Sequence, residues 1–459
     1  MMHRSNLDTS VPTYSGPISP LDKTAFRKVV PVLGLRVPAS QTGSIIKSEM
    51  VRKYLPGIPK VKPVVADPSN PADESHRLVL LGVSREADIP QHVLEFLTEK
   101  GKGFVTYDVV LEYDHWTASE VLQAILPENL REGAPTGFSA TGHIAHMNLN
   151  EEYLPYKHVI GEIFLDKNKN IKTVVNKLDN IDTQFRFFEM EVLAGERNFV
   201  VEHHESDCRF TFDFSRVYWN SRLHTEHERI VTLLTPGEVL ADVFAGVGPF
   251  ALPAAKKGCA VLANDLNPNS FKYLSININE NDVVESVRPF CEDGRAFIRD
   301  IFARVADDPF PPYLGPKMSK TKAQKLKKDA KKAGSSPLVT DTPTSSQPPR
   351  KTIDHFVMNL PDTAILFLDA FRGVLAAEPL RKLYDKMPMV HCHCFTRELE
   401  QEGAERDIRQ RVEERLGAPI SEEVSIILVR SVAPGKDMYC VSFRLPPDVA
   451  YGRVEPLEK

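Results

Sequence analysis

The feature that most constrains this chain is an apolar strand that runs straight into a glycine turn. EVLAD is apolar up to Asp242. VFAGVGPF follows at once, and the helix former ALPAAKKG continues from it. Gly246 and Gly248 let the backbone turn tightly and approach a ligand with no side chain in the way. The helix that follows would aim its free N–H groups at the same place. The pattern then repeats: AVLANDLN with PNSFKYLSININEN, then VRPFCEDG with RAFIRDIFARV. Such alternation predicts parallel βαβ units with helices on both faces of the sheet. HFVMNLP, TAILFLDAFRG, MVHCHCF and a charged helix near 404–416 resume it. EVSIILVRSVAPG and MYCVSFRLP, adjacent at the end, predict a hairpin and so one antiparallel strand.

With 459 residues, at roughly 100–200 residues per domain, two to four domains are expected. The first 20 residues are Pro/Ser-rich and read as disordered. Residues 21–135 read as a small α/β domain, with RLVLLGV as a strand, PQHVLEFLTEKG as a helix, and TASEVLQAILP as a helix capped by Thr117 or Ser119. Residues 137–220 read as a β-rich module, in which HVIGEIFLDKN, KTVVNKL, MEVLAGERNFVVEHHE and CRFTFDFSRVYW are all taken as strands. Residues 221–459 form the alternating domain, interrupted at 307–350 by a Pro-, Lys- and Ser/Thr-rich segment that reads as a flexible insertion. Its run MSKTKAQKLKKDAKKAG is first a solvated stretch, and second a candidate for RNA attraction or nuclear import.

Composition narrows the function. No apolar run approaches the ~18 residues that span a bilayer, so no membrane role is expected. Six cysteines in a chain this long read as reduced thiols rather than a disulfide scaffold. The net charge of −5 argues against a nonspecific nucleic-acid binder, and leaves open an enzyme with a local basic face.

Four strand ends carry groups suited to a nucleoside cofactor. The Gly246/Gly248 pair alone is as compatible with a plain tight turn. Asp265, about 20 residues on, can bind both hydroxyls of a ribose. Asp293 and Gly294 end the third strand, where an acid can receive an adenine amino group, and Asn359-Leu360-Pro361 ends the fourth. All lie where open α/β sheets bind ligands. NAD is the competitor, and the missing third glycine and the terminal hairpin argue against it. The His224/His227 pair and His391–Cys394 suggest a metal only superficially. In a strand, His391 and His393 share one face and Cys392 and Cys394 the other, which splits the ligand set and favours a core strand.

The strings VYWNSRLHTEHERI, DVFAGVGPF, NDLNP and FVMNLP, with FRFFEMEVLAGE upstream, resemble the tRNA (guanine-37-N1)-methyltransferase family of eukaryotes and archaea. The resemblance covers roughly residues 20 to 445, and the insertion departs from it. It implies a class I (Rossmann-like) S-adenosylmethionine methyltransferase domain, a β-rich module that places the anticodon loop, and an N-terminal domain that checks the outer corner of the tRNA. It implies methylation of the guanine just 3′ of the anticodon, with loss promoting frameshifting. It further implies a monomer that binds tRNA and not DNA, and that serves cytoplasm, nucleus and mitochondrial matrix.

Guanine N1 carries a proton that must leave, so a carboxylate within reach is the natural base. By resemblance Glu226 is that base, Arg186 steadies the charge growing on O6, and Asn359 orients the base edge. The same resemblance implies that His227, Asp242, Phe244, Gly246, Gly248, Asp265, Leu266, Asp293, Gly294, Asn359 and Pro361 hold the cofactor. Taken singly, Glu226 reads as one charge on a solvated helix and Arg186 as a surface ion-pair partner. The alternatives are a class I methyltransferase for another RNA or for protein, and a non-catalytic RNA-binding relative. Asp362, where amino-group methyltransferases place an aromatic residue, argues against adenine as target.

Overall fold

Strand β1 (Lys28–Pro38) alternates between two cores. Val30 and Val32 face one, and Leu33, Leu35 and Val37 face the other. A strand buried on both faces belongs in the middle of a sheet, and β1 pairs antiparallel with β3 (His76–Leu81) and β4 (Phe104–Leu111), with β2 (Val64–Val65) beyond β3. The computed structural model describes residues 7–181, 188–315 and 348–452. The chain forms two units. The first comprises Met1–Ala140, Ile144–Lys177 and Glu191–Arg197, and the second Thr141–His143, Leu178–Met190 and Asn198–Lys459.

In the first unit the short helices α1 (Thr42–Lys47) and α2 (Glu49–Arg52) and the longer α3 (Gln91–Lys100) cover one face of the sheet through Ile45, Val51, Val93 and Leu97. Helix α4 (Ala118–Ile125), followed by α5 (Glu128–Arg131), supplies Val121, Leu122 and Ile125 to the other core. Thr117 caps α4 in a reciprocal box with Glu120. That core does not stop at residue 135. It continues through β6 (Ile144–Met147), helix α6 (Lys157–Lys167) and Val174 of β7 (Thr173–Ile181). Strands β6 and β7 are parallel and lie between β5 (Ser139–Thr141) and β8 (Phe188–Gly195), in the order β5-β6-β7-β8.

Three expectations change here. HVIGEIFLDKN is helix, not strand: Val159, Ile160, Ile163 and Phe164 recur at helical spacing and are all buried. Residues 21–135 and the following module share one core, so the boundary drawn between them is not a core boundary. Residues 7–20 are ordered, because Leu7, Val11, Tyr14 and Ile18 pack on that core and Tyr14 stacks on Phe26 at 5.3 Å.

The long run of the second unit, Asn198–Lys459, opens with the hairpin of β9 (Val200–Glu205) and β10 (Cys208–Asp213). This hairpin was expected to belong to the β-rich module. Instead it docks on helix α9 (Pro268–Glu280): the Arg209 and Thr211 amides donate to the side chains of Asn281 and Asn277 at 2.9 and 2.8 Å. Helix α7 (His224–Leu233) then leads into the main sheet. Its strands are β11 (Val239–Asp242), β12 (Ala260–Asn264), β13 (Val287–Phe290), β14 (His355–Met358), β15 (Met389–Thr396), β16 (Ser425–Ala433) and β17 (Lys436–Arg444). They are ordered β13-β12-β11-β14-β15-β17-β16. The pairs from β13 to β15 are parallel, and β17 runs antiparallel to both its neighbours, the one reversed strand that the terminal hairpin predicts. Helix α8 (Ala251–Lys257) follows the glycine turn and α10 (Gly294–Asp307) follows β13. Helix α11 (Glu378–Arg381) lies before β15, α12 (Gln401–Leu416) after it, and α13 (Pro447–Tyr451) ends the described chain. One face of the sheet is sealed by Phe297, Ile301 and Phe302 of α10 and by Ile408 and Val412 of α12. Most of the 307–350 insertion lies outside the described residues. At its base Phe310 and Arg350 exchange two backbone hydrogen bonds of 3.2 and 2.9 Å. Among the described residues no helix is long and apolar enough to cross a membrane.

Candidate active site

The β11–α8 turn is built by its two glycines. Gly246 has φ +56° and Gly248 φ +102°, both in the left-handed region that a side chain resists. A Cβ on Gly246 would meet nothing within 4 Å, so its outer side is open, whereas one on Gly248 would lie 3.0 Å from Leu252 and Leu274. The Gly246 amide donates to Asp265 Oδ2 at 2.8 Å, and the Asn267 amide to Oδ1 at 2.9 Å.

Asn264, which the sequence reading passed over, ties three strand ends together. Its amide nitrogen donates to the Val243 and Glu292 carbonyls at 3.1 and 3.0 Å, and its oxygen accepts from the Glu292 amide at 3.1 Å. Asp293 caps α10 by accepting from the Arg295 and Ala296 amides. A Cβ on Gly294 would press on Phe244 at 3.0 Å and Phe367 at 3.2 Å, and those two rings meet edge to face at 5.0 Å. Leu266 is exposed beside the turn. The Pro361 carbonyl accepts from the Phe395 amide.

Asp242 is fully buried, and among the described residues neither of its oxygens is paired by a well-formed hydrogen bond. Burial pushes its carboxyl up to about 8, and the neighbouring Asp265 adds to this against weak support from the Phe244 amide. Burial also raises Asp265, opposed by its two amide donors. The oxygen of Asn359 is likewise buried and without a partner among the described residues. An uncompensated buried acid, an open glycine cradle and a second acid whose oxygens keep spare lone pairs fit a ligand with a cationic centre and a ribose diol, as S-adenosylmethionine has.

On α7, Glu226 and His227 are both buried, which the polar run HTEHER does not suggest. Arg229 grips the Glu226 carboxylate with Nε and Nη2, each at 2.7 Å, and His393 Nε2 lies 2.7 Å from Oε1. Burial alone would raise Glu226, but these two donors hold it down at about 2. His227 Nδ1 is held by Glu205 at 2.6 Å, and its ring meets Phe250 of the glycine turn edge-on at 4.7 Å. Arg186 lies outside the described residues. Cys392 and Cys394 face the apolar core, as the two-residue period of a strand requires, and the opposite face is polar: His391 bonds Ser442 and His355. Glu226, His393 and Cys440 present donor atoms within 4.8 Å of one another, but Arg229 already occupies both carboxylate oxygens.

Comparison with known proteins places these features in a family. Residues 201–308 match the TRM5/TYW2 methyltransferase domain, and residues 118–198 the TYW2 N-terminal domain. The chain is 57% identical over 450 residues to a tRNA (guanine(37)-N(1))-methyltransferase of Coprinopsis cinerea, covering 97% of this chain and 98% of the relative. It is 42% identical to the enzyme of the same name from Schizosaccharomyces pombe, over 94% of this chain and 95% of that one. The structure of aTrm5 in complex with tRNALeu aligns with a TM-score of 0.59 at 17% identity, covering 90% of this chain and all (100%) of that one. Trm5b of Pyrococcus abyssi aligns at 0.54 and 23%, covering 90% and 98%. These two share the fold.

Proposed function

Because the chain belongs to the family of tRNA (guanine(37)-N(1))-methyltransferases, we propose that it transfers a methyl group from S-adenosylmethionine to N1 of guanine 37 in tRNA. The observation that carries this is 57% identity sustained over nearly the whole of both chains. The cofactor, when bound, supplies an electrophilic methyl group. As the bond from N1 to that methyl forms, the bond from sulfur to it breaks and the N1 proton must go elsewhere.

Glu226 is the acceptor we propose. It is ionised at neutral pH, because its two donors outweigh burial. A carboxylate offers about four lone-pair positions. Arg229 and His393 take three, which leaves one on Oε2 for the N1 proton. Asn359 ends β14 with an unpaired oxygen, suited to accept from the guanine amino group and so to orient the ring. Arg186 is proposed to steady the charge that grows on O6. Asp242, Gly246 and Asp265 are proposed to hold the cofactor, with His227, Phe244, Leu266, Asp293, Gly294 and Pro361 around it. The resemblance also supports a role in keeping the reading frame, contact between the N-terminal unit and the outer corner of the tRNA, a monomeric enzyme, and residence in cytoplasm, nucleus and mitochondrial matrix.

The test is methyl transfer to an unmodified tRNA transcript and to one with adenine at position 37, read by nucleoside mass analysis. Incorporation is expected only with guanine, as 1-methylguanosine. In Glu226→Gln, single-turnover transfer should fall about 10²–10⁴-fold, the usual contribution of a general base. Equal incorporation into the adenine transcript would overturn the assignment.

A further inference from the structure

His393 was expected to be a buried residue of a core strand, and the reaction as described gives it no task of its own. It is fully buried on β15, its Nε2 lies 2.7 Å from Glu226 Oε1, and its Nδ1 has no hydrogen-bond partner among the described residues. Arg229 also grips Glu226, but it stands three residues along the same helix, with about a quarter of its side chain exposed. It moves with the carboxylate on one helix, although its guanidinium also meets Cys440 of β17. His393 belongs to the sheet that carries Asp242 and Asn359. Among the described residues, its 2.7 Å contact is the hydrogen bond that joins the Glu226 carboxylate directly to that sheet.

We propose that His393 is a positioning residue for proton removal, and that with Arg229 it sets the Glu226 carboxylate against the sheet and keeps it ionised. The inference rests on the reading of Glu226 as the base. Burial to 5% exposure favours the protonated form, the donors from Arg229 and His393 together oppose it, and a protonated Glu226 could not take the N1 proton. The groups facing the pair are Arg229 on α7, Cys440 on β17, His391 on β15 and Asp242 on β11. The Phe250 ring closes the remaining side at 5.9 Å from the imidazole. Burial pulls His393 down, but Cys440 and Glu226 beside it hold it up at about 10. The imidazole is thus drawn towards its protonated form, and the sheet supplies it to the carboxylate with no mobile side chain to order.

The test is single-turnover methyl transfer on the full chain with tRNA transcript, from about pH 5 to about pH 9, for the native enzyme, His393→Gln and His393→Ala. Glutamine keeps a donor near Nε2 but cannot become a cation. The native rate is expected to show no acid limb from Glu226 in this range. Both variants keep Arg229 but lose the second charged donor, so a limb should enter at the acid end of the range, losing about tenfold per pH unit below it. The Gln variant should return to within a few-fold of native above the limb, and added imidazole should partly restore the Ala variant. A loss equal at every pH, or no loss, would overturn the proposal. A second measurement does not depend on activity. In ¹⁵N spectra of the imidazoles, His393 should stay protonated through neutral pH in the native chain and titrate lower in Glu226→Gln. A His393 signal indifferent to that change also overturns it. Glu226→Gln at full rate would remove the base itself, and the proposal with it. A slow Glu226→Gln beside His393 variants with no moved limb would remove only the positioning role.

Discussion

The Gly246 amide donates to the Asp265 carboxylate at 2.8 Å, so the turn after β11 and the acid at the end of β12 are one unit. Asp265→Ala should therefore loosen the turn as well as remove a ribose acceptor. A lost hydrogen bond to a charged group costs about 1.5–3 kcal/mol, which is roughly tenfold to a hundredfold in affinity. Calorimetry with S-adenosylhomocysteine measures it, and unchanged affinity would take Asp265 out of the site.

Asp242 makes the empty enzyme sensitive to alkali. Its folded value of about 8 stands above the ordinary 3.8, so between those values the folded chain holds a proton that the unfolded chain has released. A raised group contributes stability that is complete below the unfolded value and is lost as pH climbs through the folded one. The slope approaches about 1.4 kcal/mol per pH unit for one proton. Asp242→Asn should flatten this decline in chemical denaturation and leave the protein more stable than native near the top of the window. The same change should weaken cofactor binding, because an amide cannot ionise beside a bound cationic centre as the Asp242 carboxyl can. A decline of the same slope in the variant would show that another group sets it.

The two glycines should separate stability from binding. Both have positive φ, so alanine costs about 1–2 kcal/mol at either. At Gly248 the new methyl would also press on Leu252 and Leu274 at 3.0 Å, while at Gly246 it would enter open space. Gly248→Ala should lower the thermal midpoint by more than Gly246→Ala. Gly246→Ala should lose more cofactor affinity per degree of stability lost. If the two variants lose affinity in the same proportion to stability, the open side of Gly246 does not face the cofactor.

The sequence revealed the catalytic sheet because its first strands are short and apolar up to a polar last residue. Val239–Asp242 and Ala260–Asn264 are buried at every position. It misled where a run was rich in β-branched residues but helical in spacing, as at Val159, Ile160 and Ile163, and where few apolar residues lay among prolines, as at Val11, Tyr14 and Ile18. The candidate base was found only through the family resemblance, since HTEHER is polar throughout. Its setting was beyond any local reading: Glu226 and His393 meet across 167 residues of chain, and their contact exists only once the sheet has formed.

That separation of local from long-range order also predicts what the chain can lose. Phe310 and Arg350 stand on either side of the insertion, joined by their two backbone hydrogen bonds. The Arg350 guanidinium lies 5.6 Å from the Phe310 ring, and that of Arg288 3.9 Å from it. Phe310 belongs to the core that seals the sheet, so packing fixes the two ends. Replacing residues 316–347 with a Gly/Ser linker of roughly six residues should close the same gap, since closure cost changes only by about 0.6 kcal/mol for each doubling of loop length. Thermal unfolding should shift by no more than a few degrees, and single-turnover methylation of a tRNA transcript should stay within about twofold of native. Phe310→Ala, by contrast, should lower stability by about 3–5 kcal/mol, because it removes the anchor itself. If the linker variant loses as much stability as Phe310→Ala, the insertion contributes packing of its own. If it keeps stability but loses affinity for tRNA in proportion to low salt, the lysine-rich run acts on the RNA by charge.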